Sequence, residues 1–281
     1  MKIKFLGTRG SIPVPGKDTT IYGGNTTCLE ITLASGRKVI IDAGTGIRSL
    51  GDRLSVNGKK VDIHLLMTHI HWDHLLGFPF FAPIYNPESR IRIDGFRSCM
   101  KGLQGTFDNK MGDGFFPIKF NALKADIRHI DILNRSPLTI DDVVIDCVPL
   151  QHPQGGMGFR FREGDRTLVF MTDNELTDES WAQMRSRDYI PFCKGADILI
   201  HDAQYTPEEI GSRKGWGHSD YSAALRLARE SGVKRLVLFH HDPARKDPEV
   251  MSCQSKCGAL AEKIKADVVV EAAKEDEELT L

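Results

Sequence analysis

The sequence predicts a layered fold of β-strands and α-helices in a single domain. The chain has 281 residues, of which 41% are hydrophobic, and this content is enough to bury a full core. Short apolar runs recur along the chain, with a period of two dominant in its second half, and helical patterns lie between some of them. At least five of these apolar runs are followed, at once or within a few residues, by Asp or His. Because strand ends that converge at one sheet edge form the sites of α/β proteins, this order predicts a polar site at such an edge.

Charge and cysteine content limit the classes of function. The formal net charge of −1 and a pI near 6.8 give no basic field, so a nucleic-acid substrate would have to be small or locally gripped. The six cysteines are scattered, and residues 1–5 do not begin a signal peptide. No apolar run approaches the roughly 20 residues that a membrane span needs. We therefore expect a reduced, cytoplasmic protein with no membrane partner.

The strongest signal is the segment His-Ile-His-Trp-Asp-His at residues 69–74, which follows the apolar run 61–67 after Thr68. Its spacing places His69 and His71 on one side of an extended turn, while Asp73 and His74 point apart and can serve a second ion. Imidazole nitrogen and carboxylate oxygen are ligands that zinc and similar divalent ions take readily. One histidine here would more often be a solvated side chain, but four ligand-type residues in six positions predict a metal site.

The first half of the chain is predicted to consist of strands joined by loops and short helices. Residues 7–24 form a loop rich in Gly and Pro that is too long for a simple turn, and such loops often carry function. Residues 78–85 are apolar and interrupted by proline, which predicts a short helix or loop, and residues 96–103 have a helical pattern. Strands are predicted at residues 3–6, 28–33, 38–41, 61–67 and 91–93.

Asp42 ends the third predicted strand and allows two interpretations. It could cap a helix over residues 45–50, or it could lie near the metals. Gly44 and Gly46 follow it and let backbone segments approach closely there. The residues themselves leave both interpretations open.

Strands also dominate the second half of the chain. Helices are predicted at residues 221–229 and at about 247–265, and the acidic residues 271–281 predict a solvated tail. Residues 112–117 form a loop whose aromatic side chains could contact substrate, although such aromatics more often fill the core. Strands are predicted at residues 126–133, 143–149, 158–161, 167–171, 198–200, 236–239 and 267–270.

Further candidate ligands follow the strands of this half. His152 or Asp173 alone would most often be a turn residue or a cap. His218 precedes the helix over 221–229, where it could instead be a surface residue beside Ser219 as the N-cap. The candidates at or shortly after strand ends are His152, Asp173, His201, Asp202, His240 and His241.

In this order the motifs resemble the metallo-β-lactamase superfamily, and within it the phosphodiesterase and RNase Z-like branch. The resemblance covers nearly the whole chain and implies an α+β fold, the αββα four-layer sandwich, in which two mixed β-sheets are flanked by helices. It also implies a homodimer. We therefore expect a single metallo-β-lactamase-like hydrolase domain over residues 1–270, followed by the acidic C-terminal tail over 271–281. The motif residues are Asp42, the block 69–74, His152, Asp173 and His240, together with 201–204 and 217–219, which resemble the HEAT and HST elements of the branch.

The resemblance also implies a cofactor, namely two divalent metal ions per chain, zinc or manganese. Transferred by motif, one ion is held by His69, His71 and His152, the other by Asp73, His74 and His240, with Asp173 as the bridge and Asp42 orienting the block.

Three features depart from the branch. Asp202 stands where the tRNA-processing members have Glu, and His241 doubles the final histidine, so the choice between His240 and His241 stays open. The long insertion that grips tRNA is absent from the sequence.

The implied chemistry is hydrolysis of a phosphodiester by attack of metal-bound hydroxide, with Asp73, His218 and Asp202 as the catalytic residues. His218, with the carboxylate of Asp202, offers a general acid for an alkoxide leaving group, which favours a phosphodiester over a β-lactam. The lack of a basic patch favours a small phosphodiester such as a cyclic nucleotide, so a nucleic acid is not the favoured substrate. An RNase Z-like RNA endonuclease and a non-catalytic metal-binding sensor remain alternatives.

Overall fold

Two mixed β-sheets, each of seven strands, pack against each other at the centre of the protein. The computed structural model describes residues 1–107 and 116–281. The first sheet contains β1–β6 and β14, and the second contains β7–β13. The strands are β1 (Lys2–Gly7), β2 (Cys28–Thr32), β3 (Lys38–Ile41), β4 (Asp62–Met67), β5 (Arg90–Gly95), β6 (Asp126–His129), β7 (Leu138–Ile140), β8 (Val143–Leu150), β9 (Gly156–Glu163), β10 (Arg166–Met171), β11 (Ile198–Asp202), β12 (Arg235–Phe239), β13 (Val269–Ala272) and β14 (Glu278–Thr280).

The helices lie on the outer faces of the two sheets, which confirms the predicted αββα sandwich. Two of them, α1 (Ile47–Leu54) and α2 (Cys99–Gly105), cover the first sheet. The second sheet is covered by α3 (Ile190–Cys193), α4 (Tyr221–Glu230) and α5 (Asp247–Lys263). Within the described residues, no helix is long and apolar enough to cross a membrane.

The apolar patterns of the central strands follow from this layering. In β4, Leu66 packs in the core between the two sheets, whereas Ile63 and Leu65 pack under the helices of the first sheet. Successive side chains of a strand point to opposite faces, and both faces of this strand are buried. A nearly continuous apolar run is therefore the expected sequence for a central strand.

The topology brings the ends of several strands to one edge of the sandwich. In the first sheet β3 and β4 are parallel, and in the second sheet β10, β11 and β12 are parallel neighbours. β8 runs in the same direction as β10, because each of them is antiparallel to β9. The segments that leave these strands at their carboxyl ends carry the candidate ligands, so a common site at this edge follows from strand order alone.

Several predicted boundaries are wrong for local reasons. The strand predicted over residues 126–133 ends at His129, because the backbone N–H groups of Ile132 and Leu133 donate to the carboxylate of Asp94 instead of a neighbouring strand. The short strands β7 and β14 were not predicted. Most of the loop predicted over residues 112–117 lies outside the described residues.

The prediction of a solvated tail over residues 271–281 is also wrong. Ala272 ends β13, and β14 pairs antiparallel with β1, with Leu279 opposite Ile3. Leu279 is only 8% exposed and packs in the core between the sheets. The acidic character of the segment reflects its outer side, where Glu278 lies 3.0 Å from Lys2. That the chain folds as one domain stays a prediction.

We expect Leu279→Ala to lower the free energy of unfolding by about 2 kcal/mol, because it removes a buried side chain from the core between the sheets. Val269→Ala is the matched control, since Val269 lies on an edge strand but is 55% exposed. The control should cost less than about 0.5 kcal/mol. Urea unfolding of both variants measures the difference, and equal midpoints would show that the C-terminal segment does not contribute to the fold.

Candidate metal centre

The candidate ligands lie in two adjoining groups at the edge where the strand ends meet. The first group is His69, His71 and His152, and the second is Asp73, His74, Asp173 and His240. Within each group, the atoms able to bind a metal lie within 4.8 Å of one another. A third grouping joins His152 and Asp173 to His218. The structure thus brings together all seven residues that the sequence predicts as ligands.

Asp173 lies between the two groups and turns one carboxylate oxygen to each. Its Oδ1 is 3.8 Å from Nε2 of His69 and 3.8 Å from Nε2 of His152. Its Oδ2 is 3.3 Å from Nε2 of His74 and 3.3 Å from Nε2 of His240. This arrangement fits the bridging position that the resemblance implies for Asp173.

Each of the five imidazole rings contacts a neighbouring oxygen through one nitrogen and turns the other nitrogen toward the centre. Such contacts fix the tautomer and the orientation of a metal-binding histidine. The contacted oxygens are Asp42 Oδ2 for His74 (2.8 Å), Gln204 Oε1 for His240 (2.9 Å), Gly217 O for His152 (2.9 Å), Gln154 Oε1 for His71 (3.1 Å) and Thr68 Oγ1 for His69 (3.1 Å).

Two of the inward nitrogens show that the donor set fits a cation. Nε2 of His69 and Nε2 of His74 are buried and have no hydrogen-bond partner. Buried polar atoms in proteins nearly always have a hydrogen-bond partner. Two buried ring nitrogens without such a partner, next to two carboxylates, therefore indicate a binding site for a cation. Imidazole and carboxylate together suit zinc and related divalent ions. The cluster is therefore compatible with a divalent metal site.

The electrostatics of the cluster also favour metal binding. Burial lowers the pKa of His69 well below its usual value and lowers the pKa of His152 to about 4, so both rings are neutral near pH 7. Burial alone would raise the pKa of Asp173, but the neighbouring rings of His240 and His74 lower it well below its usual range. Neutral imidazoles and ionised carboxylates are the protonation states that a divalent ion requires, and these groups have them. Burial also lowers the pKa of His74, but the neighbouring carboxylates outweigh burial and raise this pKa well above its usual value, so an ion bound there would have to displace the proton of this ring.

Backbone strain is concentrated at this site. Five residues other than glycine have positive φ angles here, in the left-handed region that such residues rarely adopt. Asp42, Asp173 and His240 each follow the end of a strand, and this conformation turns the chain sharply at that point. Their φ angles are 58° (Asp42), 57° (Asp173) and 57° (His240), and those of Ser11 and Gln154 are 64° and 67°. Strain of this kind persists where the surrounding structure enforces it, and it often marks functional sites.

The loop predicted over residues 7–24 contributes to the site through its backbone. The N–H of Ser11 donates to Oδ2 of Asp73 at 2.7 Å, and the same oxygen lies 3.2 Å from Nε2 of His240. Gly10 lies directly against the ring of His240, where a Cβ atom would overlap the imidazole. The N–H of Gly10 donates to the carbonyl of His241 at 3.0 Å, which joins the loop to the end of β12.

His218 lies beside the cluster and next to a fixed carboxylate. Its ring stacks on that of His240 at 5.0 Å between centroids, and its Nδ1 is 3.5 Å from Oδ2 of Asp202. Asp202 is fully buried and is held by the N–H groups of Ser219 (2.9 Å) and Asn174 (3.2 Å). Burial lowers the pKa of His218, but the neighbouring carboxylates of Asp202, Asp173 and Asp73 together outweigh burial, so the net shift is upward.

The structure distinguishes between the alternatives that the sequence left open. Asp42 does not cap α1: its carboxylate accepts from the N–H and the hydroxyl of Thr68, both at 2.7 Å, and contacts His74. His218 does not sit beside a Ser219 cap, because the N-cap of α4 is Asp220. His241 points away from the cluster, with its Nε2 2.9 Å from the carbonyl of Ala273.

Four contributors to the site were missed by the sequence interpretation. Thr68, Ser11, Gln154 and Gln204 act through neutral side chains or backbone groups, which carry no metal-ligand signature. Thr68 directly precedes the block 69–74 and Gln204 lies within the motif 201–204, so a search of these segments for hydrogen-bond partners could find both. Ser11 lies in the loop predicted over residues 7–24, but the pattern does not single it out, and nothing in the pattern around Gln154 indicates its position.

A cleft of about 510 Å³ leads to the cluster. Five of its lining residues come from the cluster itself or from His218. The remaining ones are Ser11, Ile70, Trp72 and Gln154, and none of the described residues that line it is Lys or Arg.

Comparison with known proteins gives the family context. Residues 37–241, more than half of the chain, match the family model of the beta-lactamase superfamily domain. A ribonuclease Z from Clostridium tetani (strain Massachusetts / E88) is 24% identical over 297 residues, which cover 88% of this chain and 90% of that protein.

Two solved structures share the fold over essentially their whole length. The metallo-beta-lactamase fold protein YhfI from Bacillus subtilis superposes with a TM-score of 0.71 and 18% identity, covering 99% of this chain and 98% of that one. A diphosphatase from the PhnP family has a TM-score of 0.67 and 16% identity, covering 100% of this chain and 97% of that one.

We expect Gly10→Ala to displace the ring of His240 and to weaken binding of a divalent ion roughly 10- to 100-fold, because a Cβ atom at this position overlaps the imidazole. Gly16→Ala is the matched control, since Gly16 lies in the same loop and its Cβ would meet nothing within 4 Å. Competition with a chromophoric chelator measures the affinity, and circular dichroism checks the fold. Equal affinities in the two variants would show that the position of His240 does not depend on Gly10.

Proposed function

The chain belongs to the beta-lactamase superfamily, and from this membership we propose that it is a hydrolase with two divalent ions, zinc or manganese, that cleaves a small phosphodiester such as a cyclic nucleotide. The observation that carries the proposal is the position of Asp173, whose two oxygens face two separate sets of ligands. Such a double site is the arrangement used to hydrolyse phosphate esters.

We propose His69, His71 and His152 as the ligands of one ion, Asp73, His74 and His240 as those of the other, and Asp173 as the bridge. Bound ions would supply a nucleophile at neutral pH and offset the charge that develops on the attacked phosphorus. Asp42 contacts Nδ1 of His74 and thereby orients the block 69–74. Asp73 is counted as catalytic because it is a proposed ligand and also lines the cleft.

His218 is the proposed general acid for the leaving group. His218 lines the cleft, so it can reach a substrate. Its Nδ1 lies next to the buried carboxylate of Asp202. A carboxylate in this position orients the imidazole and stabilises its protonated form. Two backbone N–H groups hold Asp202 in place, so it can orient the ring of His218 without contacting the substrate.

The cleft supports a small substrate over a structured RNA. RNA binding draws much of its affinity from Lys and Arg, and the described cleft lining has neither. The relationship to ribonuclease Z keeps an RNase Z-like endonuclease as the second candidate. A metal-binding sensor without turnover is the third candidate. A homodimer and a cytoplasmic location remain proposals.

We expect the purified protein to contain about two divalent ions per chain and to hydrolyse bis(p-nitrophenyl) phosphate. His240→Ala should lose at least one ion and most of this activity, whereas His241→Ala should keep both ions because its ring points to Ala273. Elemental analysis and the rate of p-nitrophenolate release measure the two effects. Greater metal loss in His241→Ala would reverse the assignment of the last ligand.

The substrates in the same assay separate the candidate functions. Hydrolysis of cyclic nucleotides without cleavage of precursor tRNA supports the small-diester proposal. Cleavage of precursor tRNA with a steep dependence on salt would favour the endonuclease instead. Bound metal with no turnover of any diester would favour the sensor.

We expect His218→Ala to slow hydrolysis of a diester with an alkyl or ribose leaving group by roughly 10²–10⁴-fold, because an alkoxide must be protonated as it leaves. Hydrolysis of bis(p-nitrophenyl) phosphate should slow much less, since p-nitrophenolate leaves without an acid. Asp202→Asn should show the same selectivity more weakly. Equal losses on both substrates, with the metal content unchanged, would assign His218 to positioning and not to acid catalysis.

A further inference from the structure

We propose that Trp72 forms a nucleobase-binding wall in the cleft, so that the phosphodiester substrate carries a nucleoside next to the scissile phosphate. The proposal rests on the phosphodiesterase function proposed above and names its substrate class. It assigns a role to the residue at the centre of the block 69–74 that is not itself a candidate metal ligand.

The backbone of Trp72 is fixed relative to the cluster. Its neighbours in sequence are His71 and Asp73, which belong to different ligand groups. Its carbonyl accepts from the N–H groups of Leu75 (3.1 Å) and Leu76 (2.8 Å), which holds the residue in a tight helical turn. A ring attached at this point therefore has a defined place beside the ions.

The side chain of Trp72 is exposed to solvent, although exposure of an apolar side chain does not stabilise the fold. The residue is 59% exposed and lines the cleft, whereas Leu75, three positions later, is buried. Tryptophan carries one of the largest apolar surfaces of any residue, and leaving it in water forgoes the stabilisation of burial. A planar aromatic ligand that stacks on the indole would recover this stabilisation at each binding event.

The rest of the cleft suits a nucleoside with one phosphodiester charge. Ser11 offers a hydroxyl and Gln154 an amide at the rim, which are groups that can hydrogen bond to a base or a sugar. A cleft of about 510 Å³ is within the range that holds small organic ligands. Since Lys and Arg are absent from the described lining, the charge of the substrate can be offset only at the cluster, which favours a single diester charge.

The surroundings of Trp72 argue against a protein partner as its occupant. Protein interfaces use a contiguous apolar patch. In the cleft, the apolar side chains are the indole and Ile70, and His71, Asp73 and Gln154 place polar groups beside them. Aromatic side chains beside polar groups are the usual platform for unpaired bases, and each stacked base contributes roughly 1–3 kcal/mol.

The experiment compares two diesters with the same leaving group, thymidine 5′-(p-nitrophenyl) phosphate and methyl p-nitrophenyl phosphate. Trp72→Ala should raise KM for the thymidine ester about 5- to 100-fold, which corresponds to the contribution of one stacked base. Trp72→Phe should restore most of this loss, and KM for the methyl ester should change less than about twofold. Trp181→Ala is the matched control, because Trp181 is 46% exposed but does not line the cleft.

A second readout does not require turnover. Thymidine 5′-monophosphate should quench tryptophan fluorescence in the wild type and in Trp181→Ala, and much less in Trp72→Phe. If the diesters are cleaved but Trp72→Ala changes both KM values equally, or if quenching is the same in all variants, the nucleobase assignment is overturned and the hydrolase function stands. If no diester is cleaved but quenching depends on Trp72, the proposed function fails and the nucleobase site is retained.

The nucleoside could belong to a small nucleotide or to the end of an RNA chain. KM values for a dinucleotide and a longer oligoribonucleotide, measured at two salt concentrations, separate these sources. Tighter and salt-dependent binding of the longer chain identifies RNA, whereas equal KM values identify the small nucleotide. In either case the dependence on Trp72 must persist for the proposal to hold.

Discussion

The buried carboxylate of Asp173 is the interaction on which the rest of the site depends. A carboxylate in the core is costly unless it is paired, and here each oxygen faces two imidazole nitrogens of a different group. Thr172 donates its hydroxyl to this carboxylate locally at 2.8 Å. Because the two groups come from both sheets, the imidazole contacts form only when the sheets are packed in their native register. The site and the sandwich therefore specify each other, since a shift of one sheet would leave this buried charge with only its local hydroxyl partner.

The scaffold holds this arrangement by local devices at the strand ends. The left-handed conformations of Asp42, Asp173 and His240 turn the chain sharply after the strand that precedes each of them. A turn of this kind is unfavourable for residues with a Cβ atom, so it requires a rigid sheet behind it. Gly217 supplies the complementary feature, because its carbonyl contacts His152 at a distance that a side chain on this residue would not permit. The rigid sheets thus hold the candidate ligands in fixed positions.

Contiguity in sequence explains what could be predicted. The block 69–74 is visible because its ligands are adjacent, and the order of strands with terminal Asp or His predicted the edge where they meet. Gln154 could not be found, because its contact with His71 is created by the fold. β14 could not be found because a three-residue strand has too little pattern, and its partner β1 lies at the opposite end of the chain. Sequence patterns reveal candidate ligands that are adjacent in the chain, whereas contacts between distant residues become visible only in the folded structure.

The charge balance of the cleft limits what the enzyme can accept. Asp73 and Asp173 are the only carboxylates that line it among the described residues, so two divalent ions would leave roughly two positive charges at the cluster. This excess can neutralise one phosphodiester, but without Lys or Arg it cannot also hold a long phosphate backbone nearby. Binding energy for the remainder of the substrate must then come from uncharged contacts. In the described lining, the indole of Trp72 is the largest surface able to provide them, which connects the acidic character of the metal ligands to the aromatic wall of the cleft.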